Sequence, residues 1–166
     1  MERRYSILIA TVLLAVTTGP THAEDVLTVR NIGMELARDL ADAAVMKCRD
    51  DGYQVSAVVV DRAGQERAAL RDDLAAHFTL QIAREKANMV IMSGLPSGEF
   101  RKLRADIRPE LNHVDGLLVM EGGVPIQVAG SRVGAIGVSG APGGDKDEVC
   151  ARAAIEALAE RIEFAD

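Results

Sequence analysis

The stretch Glu121–Cys150, EGGVPIQVAGSRVGAIGVSGAPGGDKDEVC, constrains the fold of this chain more than any other. Gly122-Gly123 ahead of Val124-Pro125 marks a sharp turn that launches a strand. Arg132–Ser139 reads as a second strand, and glycine recurs every third residue through and just past it, at Gly134, Gly137 and Gly140. Glycine weakens a strand unless a backbone or a ligand must come close to it. Something is therefore expected near this sheet's main chain, either a packed element or a bound molecule. Asp145 then opens a helix, with Glu148 three residues on as the second half of a capping box.

Residues 1–23 read as a signal peptide. Arg3 and Arg4 form a positive start, Ser6–Val16 is an apolar run too short to span a bilayer, and Thr21-His22-Ala23 suits cleavage before Glu24. That leaves 24–166 as one domain in a periplasmic or secreted setting. The net charge is −6 and becomes −7 once Glu2, Arg3 and Arg4 leave with the leader. An acidic chain without a basic run excludes nucleic acid, and an anionic membrane surface, as expected partners. Aromatics are only 3% and tryptophan is absent, so the core must be aliphatic. Two cysteines remain, Cys48 and Cys150, both in expected helices. Export permits a disulfide, which would close a ~100-residue loop and contribute up to ~4 kcal/mol. Two buried thiols are the alternative.

The element order follows from periodicity and turn residues. A helix is expected over Val29–Arg49, capped by Thr28 and ended by Gly52, with Ile32, Leu36, Leu40, Ala43 and Ala44 on one face. Tyr53–Val60 and Gln65–Leu70 form a hairpin through Asp61-Arg62-Ala63-Gly64. Helices follow over Leu74–Met92 and Ser97–Leu103, then a loop with Pro109 and Asn112. Strands at Leu117–Met120, Ile126–Val128 and Arg132–Ser139 lead to a closing helix over Asp147–Ile162. The class is α+β, an antiparallel five-stranded sheet flanked by helices, in the order α-β-β-α-α-β-β-β-α.

Chemistry concentrates on the second long helix. At 100° per residue, His77, Gln81, Arg84, Glu85 and Asn88 share a polar arc. Lys86 instead falls within the apolar arc, where an ammonium must snorkel, pair with an acid or meet a ligand. Met89 lies about one turn on, either as core filler or as a thioether donor. His113 is in the loop before the third strand. Arg71 follows the second strand and offers a planar fork for a carboxylate. Asp145, Asp147 and Glu148 are read as helix N-terminal charge and capping. Neither histidine belongs to an HExxH or CxxCH pattern, and Ser139 lacks the downstream glycine of a nucleophile elbow.

GGVPI at 122–126, VGAIGVSGAPGGDKDE at 133–148, VVVDRAG at 58–64 and the Lys86-Ala87 pair together resemble the haem-binding/GlcG-like family, across about 28–160. Its members include secreted haem-binding proteins, the GlcG proteins of glycolate-utilisation operons and the C-terminal domain of some cobalamin adenosyltransferases. The resemblance implies a profilin-like or roadblock-like arrangement of five strands, homo-oligomers and haem as cofactor. For that ligand the residues themselves offer Arg71 and Lys86 to propionates, the Gly122-Gly123 turn, and Met89, His113 or His77 towards iron. In some relatives a threonine stands where this chain has Met89. The same resemblance leaves open an enzyme acting on a small carboxylate, with Lys86 moving a proton and the Gly122-Gly123 amides holding an oxyanion. A non-catalytic oligomeric sensor is the third reading.

Overall fold

The structure is a computed structural model that describes residues 26–165, so the leader expected at 1–23 lies outside the described residues. Helix α1 spans Met34–Asp50, followed by strands β1, Ser56–Asp61, and β2, Glu66–Arg71. Helices α2, Phe78–Ser93, α3, Ser97–Leu103, and α4, Arg108–Leu111, come next. Strands β3, Gly123–Val128, and β4, Ser131–Ser139, precede α5, Gly144–Ala157, and α6, Ala159–Glu163. The four strands form one antiparallel sheet in the order β2-β1-β4-β3.

Side chains alternate across a strand, and here both faces are covered. Ala57 and Val59 of β1 join a core with Leu40 and Ala44 of α1 and Ala151 and Ala154 of α5. Val58 and Val60 face the other way, onto Ala83, Ala87 and Val90 of α2. The sheet is thus sandwiched between α1 with α5 and α2 alone, and every residue of β1 is buried. A disulfide joins Cys48 of α1 to Cys150 of α5, with the Cα atoms 5.5 Å apart. The bridge pins together the two helices that share a face.

Gly137 of β4 and Gly123 of β3 serve the α2 face, while Gly134 and Gly140 lie against Val60 and Gln54. A Cβ on Gly137 would lie 1.9 Å from the carbonyl oxygen of Ala83, and one on Gly123 would lie 2.5 Å from that of Lys86. The close approach expected from the sequence is therefore made by the backbone of α2.

Several sequence expectations need correction. The fifth strand at Leu117–Met120 does not form. The Val119 amide donates to Asn112 Oδ1 at 3.1 Å, and the Leu117 and Met120 amides donate to the carbonyls of Val114 and Leu118. These donors are satisfied locally instead of in a ladder. Pro109 sits in the first turn of α4 and not in a loop, a position where its missing N–H costs nothing. Helix α1 starts at Met34 behind Gly33, not behind Thr28, because the Ile32 amide is tied to the Val133 carbonyl at 3.0 Å. Helix α2 starts at Phe78, after a turn in which the Ala75 amide meets the Asp72 carbonyl. The closing helix breaks at Leu158 into α5 and α6. Its first turn has no capping box: Gly143 is the N-cap with no side-chain bond, and Glu148 pairs with Arg152 at 2.6 Å.

Candidate ligand-binding site

The densest polar group in the interior is built around Lys86. Its side chain leaves the sheet-facing side of α2 and ends with Nζ donating to Asp147 Oδ2 at 2.7 Å and to the Val138 carbonyl at 2.9 Å. Both partners of the ion pair are sealed, with side-chain exposures of 1% for Lys86 and 4% for Asp147. Asp147 Oδ1 accepts from the Ala141 amide at 2.9 Å. The pair therefore fastens α2 to the end of β4 and the first turn of α5. Burial pushes the Lys86 ammonium below its ordinary value, opposed by the Asp147 charge. Burial likewise pushes the Asp147 carboxyl above its own, opposed by Lys86. Of the three fates expected for this lysine, pairing with an acid is the one adopted.

The Gly122-Gly123 turn lies against this pair. A Cβ on Gly122 would come within 2.9 Å of Lys86 Nζ. The Gly123 amide is taken by Ser97 Oγ at 2.8 Å, so it is not free to hold an oxyanion. Lys86 itself has no path to solvent through its own side chain. The arrangement is suited to holding elements together and not to proton transfer with a substrate.

The other expected site residues are dispersed. Met89 is fully buried with Phe100 and Val119, in a cluster separate from the α2–sheet core. His113 is exposed in the turn after α4. Arg71, at the end of β2, donates to the Ala75 carbonyl at 2.5 Å. His77 is exposed immediately before α2, its ring centroid 3.7 Å from that of Phe78. Lys86 and Gly122-Gly123 come together; Arg71 and His77 lie elsewhere, at the end of β2 and immediately before α2. Direct packing of Ala83, Ala87 and Val90 leaves no groove between this part of α2 and the sheet.

Asp147 is a first-turn acid of α5, as the sequence suggests, and its pairing with Lys86 is what sequence reasoning misses. Cys150, Ala151 and Ala154 follow it at helical spacing on the buried face. That spacing placed Asp147 inward, where a buried lysine needs an acid.

Comparison with known proteins fits this architecture. A family model described as haem degrading protein HbpS-like matches residues 32–156. The chain belongs to the HbpS-like family. The crystal structure of HbpS is 35% identical, with a TM-score of 0.76 over 84% of this chain and 98% of that one. A double mutant of Streptomyces reticuli HbpS also gives 35% identity and a TM-score of 0.76, over 87% of this chain and 98% of its own. PduOC, solved as a haem complex, shares the fold at 22% identity and a TM-score of 0.66, over 76% of this chain and 94% of PduOC. A comparison with curated protein sequences gave no match.

Proposed function

We propose that this protein is an exported haem-binding protein that captures, buffers or degrades haem, acting as a homo-oligomer. Membership of the HbpS-like family over residues 32–156 carries the reading, and 35% identity to HbpS along 98% of that chain supports it. The leader-like start of the sequence motivates export.

The residues present decide where haem fits. The interior between α2 and the sheet does not suit it, because Lys86 and Met89 are both 0% exposed and the helix backbone rests on Gly123 and Gly137. Haem asks for an apolar surface, an axial donor and cations for its propionates. The corner of β2 and α2 has residues of these kinds in His77, Phe78, Leu80 and Arg84, with Glu66 paired to Arg84. Bound haem supplies an iron centre; the chain's part is to hold the ring and offer it an axial donor.

Hemin titration followed by absorption tests the reading. A saturable Soret shift at one haem per chain is expected, and its absence removes haem as the ligand. Mass spectrometry of protein exported by its native host tests the leader: a start at or near Glu24 is expected, and an intact Met1 on soluble exported protein contradicts it.

A further inference from the structure

We infer that the outer edge of β2 is a docking site for an extended peptide of a partner protein. The peptide joins the sheet as a further strand, with an aliphatic side chain opposite Ala69 and a carboxylate opposite Arg71. The two edges of the sheet differ in a way that singles out β2. The strand order β2-β1-β4-β3 leaves β2 and β3 each with one side free of a neighbouring strand. On β3 the Gly122 carbonyl accepts from the Val138 amide at 2.9 Å, in register with the pairs Val124–Ile136 and Ile126–Gly134. By alternation Gly123 and Pro125 turn their main-chain groups outward. The Gly123 amide is taken by Ser97 Oγ at 2.8 Å, and Pro125 has no N–H. That stretch of β3 offers no free donor to a further strand.

β2 lacks this protection. The Asp72 amide donates to the Val55 carbonyl at 2.9 Å, in register with the pairs Ala57–Leu70 and Val59–Ala68. Asp72, Leu70 and Ala68 therefore bond to β1, and the amides and carbonyls of Ala69 and Arg71 point outward. Both residues are exposed, and among the described residues no group of the chain bonds to these four atoms. An unpaired edge of this kind is a template for another strand.

Side chains at the same edge define what the added strand carries. Ser56 shares a hydrogen bond with Thr79 of α2 at 2.7 Å, and Val58 packs on α2. Their register partners Arg71 and Ala69 therefore face α2 as well. Ala69 borders a depression of about 390 Å³ whose walls include Phe78 and Leu80. Phe78 is 63% exposed. A side chain opposite Ala69 enters this depression, and covering Phe78 and Leu80 there favours an aliphatic residue. Arg71 has no carboxylate partner among the described residues. One of its terminal nitrogens donates to the Ala75 carbonyl at 2.5 Å, which leaves the rest of the guanidinium fork for a carboxylate. Ala69 and Arg71 are two residues apart on one side of the edge, so the matching peptide places a carboxylate two residues from an aliphatic residue.

The probe is a blocked, fluorescein-labelled peptide, Gly-Glu-Thr-Leu-Thr-Glu-Gly, whose two carboxylates let either strand direction present one to Arg71. It is titrated without hemin into the oxidised full chain and read by anisotropy, so the outcome is independent of the haem reading. Saturable binding tighter than about 1 mM is expected. The same peptide with N-methyl-leucine should bind about tenfold more weakly, because it lacks the donor for the Ala69 carbonyl. Ala69→Pro should also weaken binding about tenfold. It should keep the wild-type melting temperature, since the N–H it removes faces away from β1. Arg71→Glu should weaken binding of this peptide and strengthen that of Gly-Lys-Thr-Leu-Thr-Lys-Gly; it stands in for Ala69→Pro if the proline variant melts early. Absence of saturable binding by wild type, or equal affinity for the N-methylated peptide, overturns the proposal. Unchanged affinities of Arg71→Glu for both peptides overturn the assignment of the carboxylate. If wild type instead binds no peptide and self-associates, and Ala69→Pro breaks that association, a second copy of this chain occupies the edge and the peptide assignment is overturned.

Discussion

Removing the cation of the buried pair gives the sharpest test of how this fold is fastened. In Lys86→Met, Asp147 loses its 2.7 Å partner and the Val138 carbonyl loses its 2.9 Å donor. The stranded carboxylate has one escape, which is to take a proton. For a carboxyl of ordinary pKa 3.8, protonation at pH 7 costs about 1.4 kcal/mol for each of roughly three pH units, a ceiling of about 4.4 kcal/mol. The expected loss of stability is therefore about 3–4.4 kcal/mol, within the usual range for breaking a buried pair. For a domain of this size that lowers the melting temperature by about 10–15 °C. The pH dependence identifies the cause. In the variant the folded-state pKa of Asp147 lies above its unfolded value, so the folded state binds more protons between the two values. Stability then falls as pH rises through that window, and the deficit relative to wild type shrinks as pH is lowered towards 4. Replacing both residues, Lys86→Met with Asp147→Leu, should recover most of the loss, because no uncompensated charge remains. Thermal and urea unfolding of the oxidised single and double variants at several pH values supply the measurement. A single variant that loses less than about 1 kcal/mol, or one whose deficit is independent of pH, would refute the reasoning.

Gly137→Ala should destabilise by several kcal/mol or prevent folding, since its Cβ would meet the Ala83 carbonyl at 1.9 Å, whereas Gly33→Ala, with nothing within 4 Å, should stay within about 1 kcal/mol; urea midpoints compare the two. Reduction of the Cys48–Cys150 bridge, or its replacement by alanines, should lower stability by about 4 kcal/mol, because the bridge spans a sequence separation of 102; equal melting of oxidised and reduced protein would contradict this. Asp72 is bound by Arg49 through Nε at 3.0 Å and by the Asp73 amide at 2.7 Å, and the Arg49 hydrogen bond holds its carboxyl below the ordinary value. Its unfolded form takes up protons first on acidification, so its stabilisation is complete above the ordinary carboxylate range and is lost as pH falls through the folded value; Asp72→Asn should flatten that part of the acid-unfolding profile.

What the sequence made legible depended on whether one neighbour or two decided a residue's fate. Helix α3 occupies Ser97–Leu103 as read, and β4 differs by one residue at its start, because local spacing and turn residues define both. Leu117–Met120 has the composition of a strand but yields its Val119 donor to Asn112, a side chain whose reach no local pattern reveals. Lys86 and Met89 share one side of a helical wheel, and the wheel joined them in one pocket. In the fold, α2 meets the sheet on part of that side and the α3 region on the rest. Lys86 therefore ends at the start of α5, and Met89 among Phe100 and Val119. Arg71 is held by the short β2–α2 turn, where it donates to the Ala75 carbonyl, an acceptor that no local pattern reveals. The buried Lys86–Asp147 pair, with side-chain exposures of 1% and 4%, joins α2 to the first turn of α5 and so belongs to the scaffold.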